Sequence, residues 1–331
     1  MNLPPAIRVL LWPISLLYGV GARFRVFLYE KGVFRKRRLK TPVISVGNLT
    51  MGGTGKTPMV IYLAEKFLAE GKRVGILSRG YRGSGGTSDE VEMLRGRLGD
   101  RVLFGVGADR HKEGTKIESL DQVDVFLLDD GFQHLQLERD VDILMVDSSK
   151  RTEKEWILPA GTLREPFSAC GRADIMVLSR VLNPNESAKA VQNLVFLAQT
   201  RLLGLRSLGE NKLQADAALL KRFSFYAFCG VGNPEAFFRD LKRWNLELSG
   251  TMSFQDHHRY DEQDVSTLLA SARGARATAF VTTEKDEQNL HTLDFGDVPV
   301  YVATIELEIC SAADFDIALH RLLAERQRAA K

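Results

Sequence analysis

A short segment in the first fifth of the chain combines three glycines with a lysine and three threonine hydroxyls. Residues 50–57 read TMGGTGKT, and they follow an apolar stretch that ends at Asn48. Small residues let successive backbone N–H groups point at phosphate oxygens, a lysine bridges the β- and γ-phosphates, and a hydroxyl holds Mg²⁺. The sequence therefore predicts a nucleotide-binding loop in which Lys56 contacts phosphate and Thr57 contacts the metal.

This loop departs at one position from the usual pattern GxxxxGK[ST], because the first glycine is Thr50. The GKT ending and the strand–loop–helix context outweigh that departure. The residues predicted to contact the nucleotide are Thr50, Met51, Gly52, Gly53, Thr54, Gly55, Lys56 and Thr57.

A second segment, residues 125–134, reads VFLLDDGFQH and ends an apolar run in two acidic residues. Nucleotide-binding loops of this class work with a carboxylate that stands at the end of a neighbouring strand and completes the Mg²⁺ shell. Asp129 or Asp130 is predicted to hold the metal directly or through water, and the sequence leaves open which of the two does so.

Two further segments carry groups that transfer protons. Asp89 and Glu90 follow a glycine-rich stretch, and either carboxylate is able to take a proton from an acceptor hydroxyl. Residues 253–260, SFQDHHRY, place two of the six histidines beside Asp256. On spacing alone, a solvated pair in a glycine-rich loop is the commoner case for Asp89 and Glu90. The histidine segment is as compatible with a surface loop as with a functional one.

Residues 282–286, TTEKD, bear on which nucleotide is bound. Guanine-specific switches use an Asn/Thr-Lys-x-Asp signature, and here Lys285 lies one place too late for it. The sequence therefore favours ATP over GTP.

These groups need a scaffold, and the apolar segments indicate one. Near-continuous apolar strands separated by helical patterns are typical of a parallel sheet covered on both faces. The predicted fold is α/β, with a P-loop NTPase core on a mostly parallel sheet, a smaller C-terminal α/β domain and an N-terminal apolar helix. The core strands are predicted at residues 42–48, 74–78, 125–130, 142–147 and 174–180, with helices at 58–70 and around 188–193.

Four regions follow from these patterns. Residues 1–30 form the apolar N-terminal helix, and residues 31–202 form the nucleotide-binding core. A polar connector spans residues 203–222, and residues 223–331 form a C-terminal α/β domain that closes over the cleft between the two domains.

The N-terminus is the most unusual stretch, because residues 9–22 carry no charge and are bracketed by arginines. This pattern, with the basic residues 34–40 beside it, favours a helix lying on an anionic membrane surface, and the alternative is a core helix of a soluble domain. The net charge of +3 is too small to predict a nucleic-acid partner. The three cysteines are far apart, which argues against a zinc site or a disulfide framework.

The chain resembles the tetraacyldisaccharide 4′-kinase family over nearly its whole length. The resemblance rests on seven segments in order: VISVGNLTMGGTGKTP, LSRGYRG, LLDDGFQHLQLERDVDILMVD, LPAGTLREP, FCGVGNPEAFF, FQDHHRY and TTEKD. It implies a kinase that uses Mg-ATP to phosphorylate the 4′-hydroxyl of a tetra-acylated glucosamine disaccharide 1-phosphate, the lipid A precursor. It also implies a peripheral or monotopic enzyme on the cytoplasmic face of the bacterial inner membrane.

The same resemblance implies roles for individual residues. Asp89 matches the catalytic aspartate of the family, and its histidine partner matches His257 rather than His258. Arg164 and Glu165 match residues near the nucleotide and the metal, and Asp129 with Asp130 would complete the metal site.

One departure affects the catalytic aspartate, because the glycine before the family's Asp-Glu pair is Ser88 here and the preceding loop is shorter. A shortened loop could change which carboxylate reaches the acceptor. The rival hypotheses are a soluble regulatory or metallocentre-assembly ATPase of the same loop class, and a non-catalytic nucleotide-binding adaptor at the membrane.

Overall fold

The computed structural model describes residues 4–80, 88–149, 152–181, 194–210, 213 and 222–329. The chain divides into two compact units. The first unit contains Met1–Thr87, Leu94–Gln199 and Leu307–Lys331, and the second contains Ser88–Met93 and Thr200–Glu306. The helix predicted around residues 188–193 lies outside the described residues.

Helix α1, Pro5–Glu30, begins with a proline at its first position, where no intrahelical N–H bond is lost. Ser15 and Gly19 are buried on one face, where the Ser15 hydroxyl accepts a hydrogen bond from the backbone N–H of Ala160 at 3.0 Å. The helix is long and apolar enough to cross a bilayer by length and composition, and only 11% of its apolar stretch is buried. Its exposed large apolar residues are Ile7, Val9, Leu10, Trp12, Ile14, Leu16, Leu17, Tyr18, Val20, Phe24 and Phe27. The predicted N-terminal apolar helix is confirmed.

The first unit is built on a parallel sheet whose strand order is β3-β2-β4-β1-β5-β6-β7. Its strands are β1 Val43–Asn48, β2 Val74–Ser78, β3 Val102–Val106, β4 Val125–Asp129, β5 Val141–Asp147, β6 Ile175–Ser179 and β7 Leu194–Ser207, and the residues of β7 from Thr200 onward belong to the second unit. The central strands β1, β2, β4 and β5 are buried at every position, which explains why they read as continuous apolar runs. The predicted parallel sheet is confirmed, and β3 is an additional strand at its edge.

The helices of the first unit pack on this sheet. They are α2 Lys56–Ala69, part of α3 Asp89–Leu98, α4 Arg110–Leu120 and α8 Ala312–Ala329. Phe315 of α8 packs edge-to-face against Tyr62 and Phe196, and Asp316 pairs with Lys66 at 2.7 Å. The C-terminal helix therefore belongs to the first unit, because its apolar face packs on residues of that unit. The sequence pattern had predicted this helix as part of the C-terminal domain.

The second unit has its own parallel strand pairs, β11 with β10, β10 with β8 and β8 with β9. Its further elements are β8 Phe225–Cys229, α5 Pro234–Arg243, β9 Leu248–Ser253, α6 Glu262–Gly274, β10 Ala279–Thr283, α7 Glu284–Glu287 and β11 Val300–Ile309. Phe228 and Phe280 are fully buried at the centre of an aromatic cluster.

The predicted connector begins later than the sequence indicated. Strand β7 continues to Ser207, so residues 203–207 are part of a strand rather than of a linker. Its half-buried pattern, in which polar and apolar side chains mix, obscured the strand signal. Residues 211, 212 and 214–221 of the connector lie outside the described residues.

Candidate active site

The nucleotide-binding loop joins the carboxyl end of β1 to the start of α2. Gly52 and Gly55 adopt positive φ values of 114° and 91°, a conformation that favours glycine. Gly55 is the N-cap of α2, and Lys56 and Thr57 form the first turn of the helix. The N–H groups of that turn and the positive end of the helix dipole favour a bound anion. The local structure is therefore the one that a phosphate-binding loop requires.

The first half of the loop is held by backbone hydrogen bonds to a distant segment. Met51 N–H donates to Thr162 at 2.8 Å, and Arg164 N–H donates to Leu49 at 2.7 Å. Thr50 forms an antiparallel bridge with Leu163. The residue that replaces the usual glycine therefore takes part in a strand-like contact, and this contact brings Arg164 to the loop.

The second half of the loop is hydrogen-bonded to the end of β6. The Ser179 hydroxyl donates to the carbonyl of Thr54 at 2.8 Å. A Cβ added to Gly53 would meet nothing within 4 Å, so this glycine faces open space.

Three charged side chains of the first unit meet beside the loop. Lys56 Nζ lies 3.2 Å from Asn48 Oδ1 and 3.6 Å from Asp130 Oδ1. Arg164 Nη1 donates to both carboxylate oxygens of Asp130, at 2.9 and 2.8 Å. Burial by itself would raise the pKa of Asp130, but the charges of Lys56 and Arg164 outweigh it and hold that pKa below its ordinary value. Asp130 is therefore a carboxylate at neutral pH.

The other predicted metal ligands have different surroundings. Asp129 is buried at the end of β4, in register with Val46 of β1. Glu165 is also buried, and its two oxygens accept hydrogen bonds from Arg172 at 2.5 and 3.1 Å. Within the described ranges, no three or more His, Cys, Asp or Glu side chains are grouped as a metal site.

The predicted catalytic pair lies within the second unit. The distance from His257 Nδ1 to Asp89 Oδ2 is 3.0 Å, although the two residues are 168 positions apart in the chain. Asp89 begins α3. The neighbouring His258 has a different partner, since its Nε2 lies 2.7 Å from Asp264 Oδ2. The structure therefore brings together Asp89 and His257 and separates His258 from them.

The pair changes the acidity of both partners. The hydrogen bond from His257 holds the pKa of Asp89 below its ordinary value, against the opposing effect of burial. The same hydrogen bond raises the pKa of His257. Both shifts favour the charged forms, and His257 remains half exposed to solvent.

Sequence reasoning missed several residues that contact the predicted ones. Asn48 accepts from Lys56, and Gln133 Nε2 donates to the backbone carbonyl of Asn48 at 3.0 Å. Arg172 pairs with Glu165, and Lys285 lies beside His257. Asn48 lies at the end of a predicted strand and Gln133 lies in the DGFQH segment, so their positions in these motifs could have identified them as site residues. The sequence around Arg172 carries no such motif.

A glycine loop between β1 and α2, with a lysine at the helix start and an acidic end on the adjacent strand β4, defines a P-loop nucleotide-binding protein. The family model for tetraacyldisaccharide-1-P 4′-kinase matches residues 7–324. The chain therefore belongs to the tetraacyldisaccharide 4′-kinase family, a family of enzymes, and the family predicted from the sequence is confirmed.

Individual relatives agree with this assignment. The chain is 38% identical to the tetraacyldisaccharide 4′-kinase of Geobacter metallireducens, over 95% of this chain and 98% of that protein. It is 39% identical to the enzyme of Geobacter sulfurreducens, over 93% of this chain and 92% of that protein. Among solved structures it is similar to LpxK from Aquifex aeolicus in complex with ATP, with a TM-score of 0.75, 31% identity and coverage of 96% of this chain and 99% of that one.

Proposed function

We propose that this chain transfers the γ-phosphoryl group of ATP to the 4′-hydroxyl of a tetra-acylated glucosamine disaccharide 1-phosphate, a late step of lipid A biosynthesis. The observation that carries the proposal is the Asp89–His257 hydrogen bond, 3.0 Å long, in a chain of the 4′-kinase family. A carboxylate oriented by a histidine is suited to take a proton from an acceptor hydroxyl, a step that a protein that only binds ATP does not need. The relative crystallised with ATP supports ATP as the donor.

The first unit would bind the nucleotide. The N–H groups at the start of α2 would bind the β- and γ-phosphates, and Lys56 would move from Asn48 and Asp130 to bridge phosphate oxygens. Arg164, held beside Asp130, adds a second positive charge. These groups would stabilise the charge that spreads over the transferred phosphoryl oxygens.

Mg²⁺ fits the donor set of this unit. Mg²⁺ is usually held by one or two carboxylates together with substrate phosphates, and when bound it neutralises charge on the β- and γ-phosphates. Thr57 in the first turn of α2 and Asp129 at the end of β4 would hold it. Asp130, the next residue, would join them after releasing at least one of its two hydrogen bonds to Arg164. Glu165, with both oxygens bonded to Arg172, would orient that arginine or join the metal shell only after releasing it.

Asp89 would act as the general base. As the acceptor oxygen forms its bond to the γ-phosphorus, its proton passes to a carboxylate oxygen of Asp89, and the bond to the bridging oxygen of ADP breaks. His257 would hold Asp89 in position through the Nδ1–Oδ2 hydrogen bond. Ser88, in place of glycine, stands directly before this residue and does not prevent the contact with His257.

The acyl chains of the substrate require a lipid surface. Helix α1 buries Ser15 and Gly19 and exposes most of its large apolar side chains. We propose that this exposed side inserts into the cytoplasmic leaflet of the inner membrane, as a peripheral or monotopic anchor. The arginines and lysines of residues 34–40 would attract the anionic headgroups beside it.

A single assay tests the reaction. Purified protein, ATP labelled in its γ-phosphate and the tetra-acylated disaccharide 1-phosphate are mixed in detergent micelles, with Mg²⁺ present. Transfer of the label to the lipid is expected. Label that stays in ATP, or that appears only as free phosphate whether or not the lipid is present, would contradict the kinase proposal and favour the ATPase alternative.

A further inference from the structure

The TTEKD segment, residues 282–286, has no role in the mechanism above, yet it lies against the His257 side chain. Lys285 Nζ lies 3.2 Å from His257 Nε2 and 2.7 Å from Asp256 Oδ1. We propose that Lys285 is a positioning residue that donates a hydrogen bond to Nε2 of His257 and so opposes protonation of the imidazole. The inference rests on the proposed roles of Asp89 and His257.

The hydrogen-bonding capacities of the groups lead to this assignment. Nδ1 of His257 faces Asp89 Oδ2 at 3.0 Å, and an ionised carboxylate only accepts, so Nδ1 must carry the proton. An ammonium group only donates, so the nitrogen that faces Lys285 must be the acceptor. Both contacts are satisfied together only by a neutral imidazole whose proton is on Nδ1.

The charges around His257 make this assignment sensitive to Lys285. Glu90 Oε1 lies 3.6 Å from Nε2 and Asp256 Oδ1 lies 4.0 Å from it, and both favour a second proton on the ring. Asp89 has the same effect through its hydrogen bond, and it is the main reason that the pKa of His257 is raised. Burial of the ring opposes protonation of His257, and the charge of Lys285 opposes it as well. Without Lys285, three carboxylates would still lie close to the ring.

The protonation state of His257 matters for the base. An imidazolium beside Asp89 would stabilise the carboxylate charge and weaken Asp89 as a proton acceptor. A neutral imidazole keeps the orienting hydrogen bond and leaves Asp89 more basic. The charge of Lys285 also lowers the pKa of Asp89 directly. In this proposal the larger effect of Lys285 is on His257, and through it on the basicity of Asp89.

One buried residue, Asp286, links the backbone segments that carry Lys285 and His257. Asp286 accepts hydrogen bonds from Gly230 N–H at 2.8 Å and from the Tyr260 hydroxyl at 2.9 Å. The Gly230 carbonyl in turn accepts from His257 N–H at 3.1 Å. His257 has a φ of 61°, an unusual value for a residue with a side chain, which persists only where neighbouring contacts fix it. Lys285 and His257 are thus both tied to Asp286.

The test compares the wild-type protein with Lys285→Met and Lys285→Arg. Met keeps the apolar stem and removes the charge, and Arg keeps a charged donor, so it serves as the matched control. Proteins labelled with ¹⁵N at histidine are titrated by NMR, and the His257 signal is assigned by its loss in a His257→Gln sample. The same three proteins are assayed for kcat and KM between pH 5 and 9.

In Lys285→Met we expect His257 to take up its second proton at higher pH than in the wild-type protein. We expect the acid limb of the kcat profile to move in the same direction, with a loss on the order of tenfold near neutral pH. Lys285→Arg should retain most of the wild-type titration. KM should change little, because Lys285 touches neither substrate in this proposal.

An unchanged His257 titration in folded Lys285→Met would overturn the inference. The NMR readout does not depend on turnover, so it also separates this inference from the proposed function. If Asp89→Ala keeps the wild-type kcat, the proposed role of Asp89 as the base fails. If Asp89→Ala loses its activity while the titration and pH profile of Lys285→Met match the wild type, only the role of Lys285 fails.

Discussion

The Asp89–His257 hydrogen bond allows a quantitative prediction for a double-mutant cycle. A general base contributes roughly 10²- to 10⁴-fold to rate, so Asp89→Ala should lower kcat by about that factor. A hydrogen bond to a charged group contributes about 1.5–3 kcal/mol, and because His257 is half exposed we expect the lower end of this range. His257→Ala should therefore lower kcat by roughly tenfold.

Because His257 is proposed to act through Asp89, the two losses should not multiply. The double variant should be about as active as Asp89→Ala alone, with a coupling energy of about 1.5 kcal/mol. The assay is single-turnover transfer of labelled phosphate at saturating ATP, with far-UV circular dichroism and thermal unfolding to show that each variant is folded. A double variant whose loss equals the product of the two single losses would refute the pairing.

His258→Gln is the matched control for this cycle. His258 is the next residue, but its Nε2 lies 2.7 Å from Asp264 rather than near Asp89. Its replacement should leave kcat within about twofold of the wild-type value, since loss of an interaction remote from the reacting groups has little effect on transition-state binding. A loss as large as that of His257→Ala would mean that the loop, and not the Asp89 contact, carries the effect.

Further predictions concern the nucleotide site, the core and the membrane surface. Lys56→Ala should lower kcat by about 100- to 1000-fold, since the lysine meets charge that develops in transfer, while the urea unfolding midpoint stays close to wild type; a loss below tenfold would contradict its role. Phe228→Ala should lower the free energy of unfolding by about 3–5 kcal/mol in urea titrations, because the ring is fully buried; a change below about 1 kcal/mol would contradict the packing described. Leu10→Glu with Leu17→Glu should reduce co-sedimentation with anionic vesicles by at least about tenfold, since both side chains are exposed on α1; unchanged binding would refute the anchor.

Much of the site followed from local sequence because its function depends on local geometry. A phosphate-binding loop needs glycines at fixed offsets, here with positive φ at Gly52 and Gly55, and a lysine at the helix start. Those requirements appear in the sequence as a contiguous motif. The buried strands could also be predicted from the sequence, because a strand covered on both faces is apolar at nearly every position.

Other features required the folded chain. Glu165 fits the sequence prediction of a metal ligand, yet both its oxygens are bonded to Arg172, seven positions away in a 3₁₀ helix whose orientation the sequence does not indicate. Helix α8 follows the second series of strands in the chain but packs through Phe315 in the first unit. Packing of an amphipathic helix depends on which apolar surface is left uncovered, and that is a property of the whole fold.

The sequence by itself determined the nucleotide-binding loop, the parallel sheet, the apolar N-terminal helix and the family, because each is encoded in consecutive residues or in the order of short motifs. Tertiary structure alone decided that Arg164 meets Asp130 and that Lys285 meets His257. The protonation state of each group depends on charges a few ångströms away, and those charges come from segments separated by tens of residues or more. Chain folding brings them together, so only the folded structure specifies the electrostatics of the site.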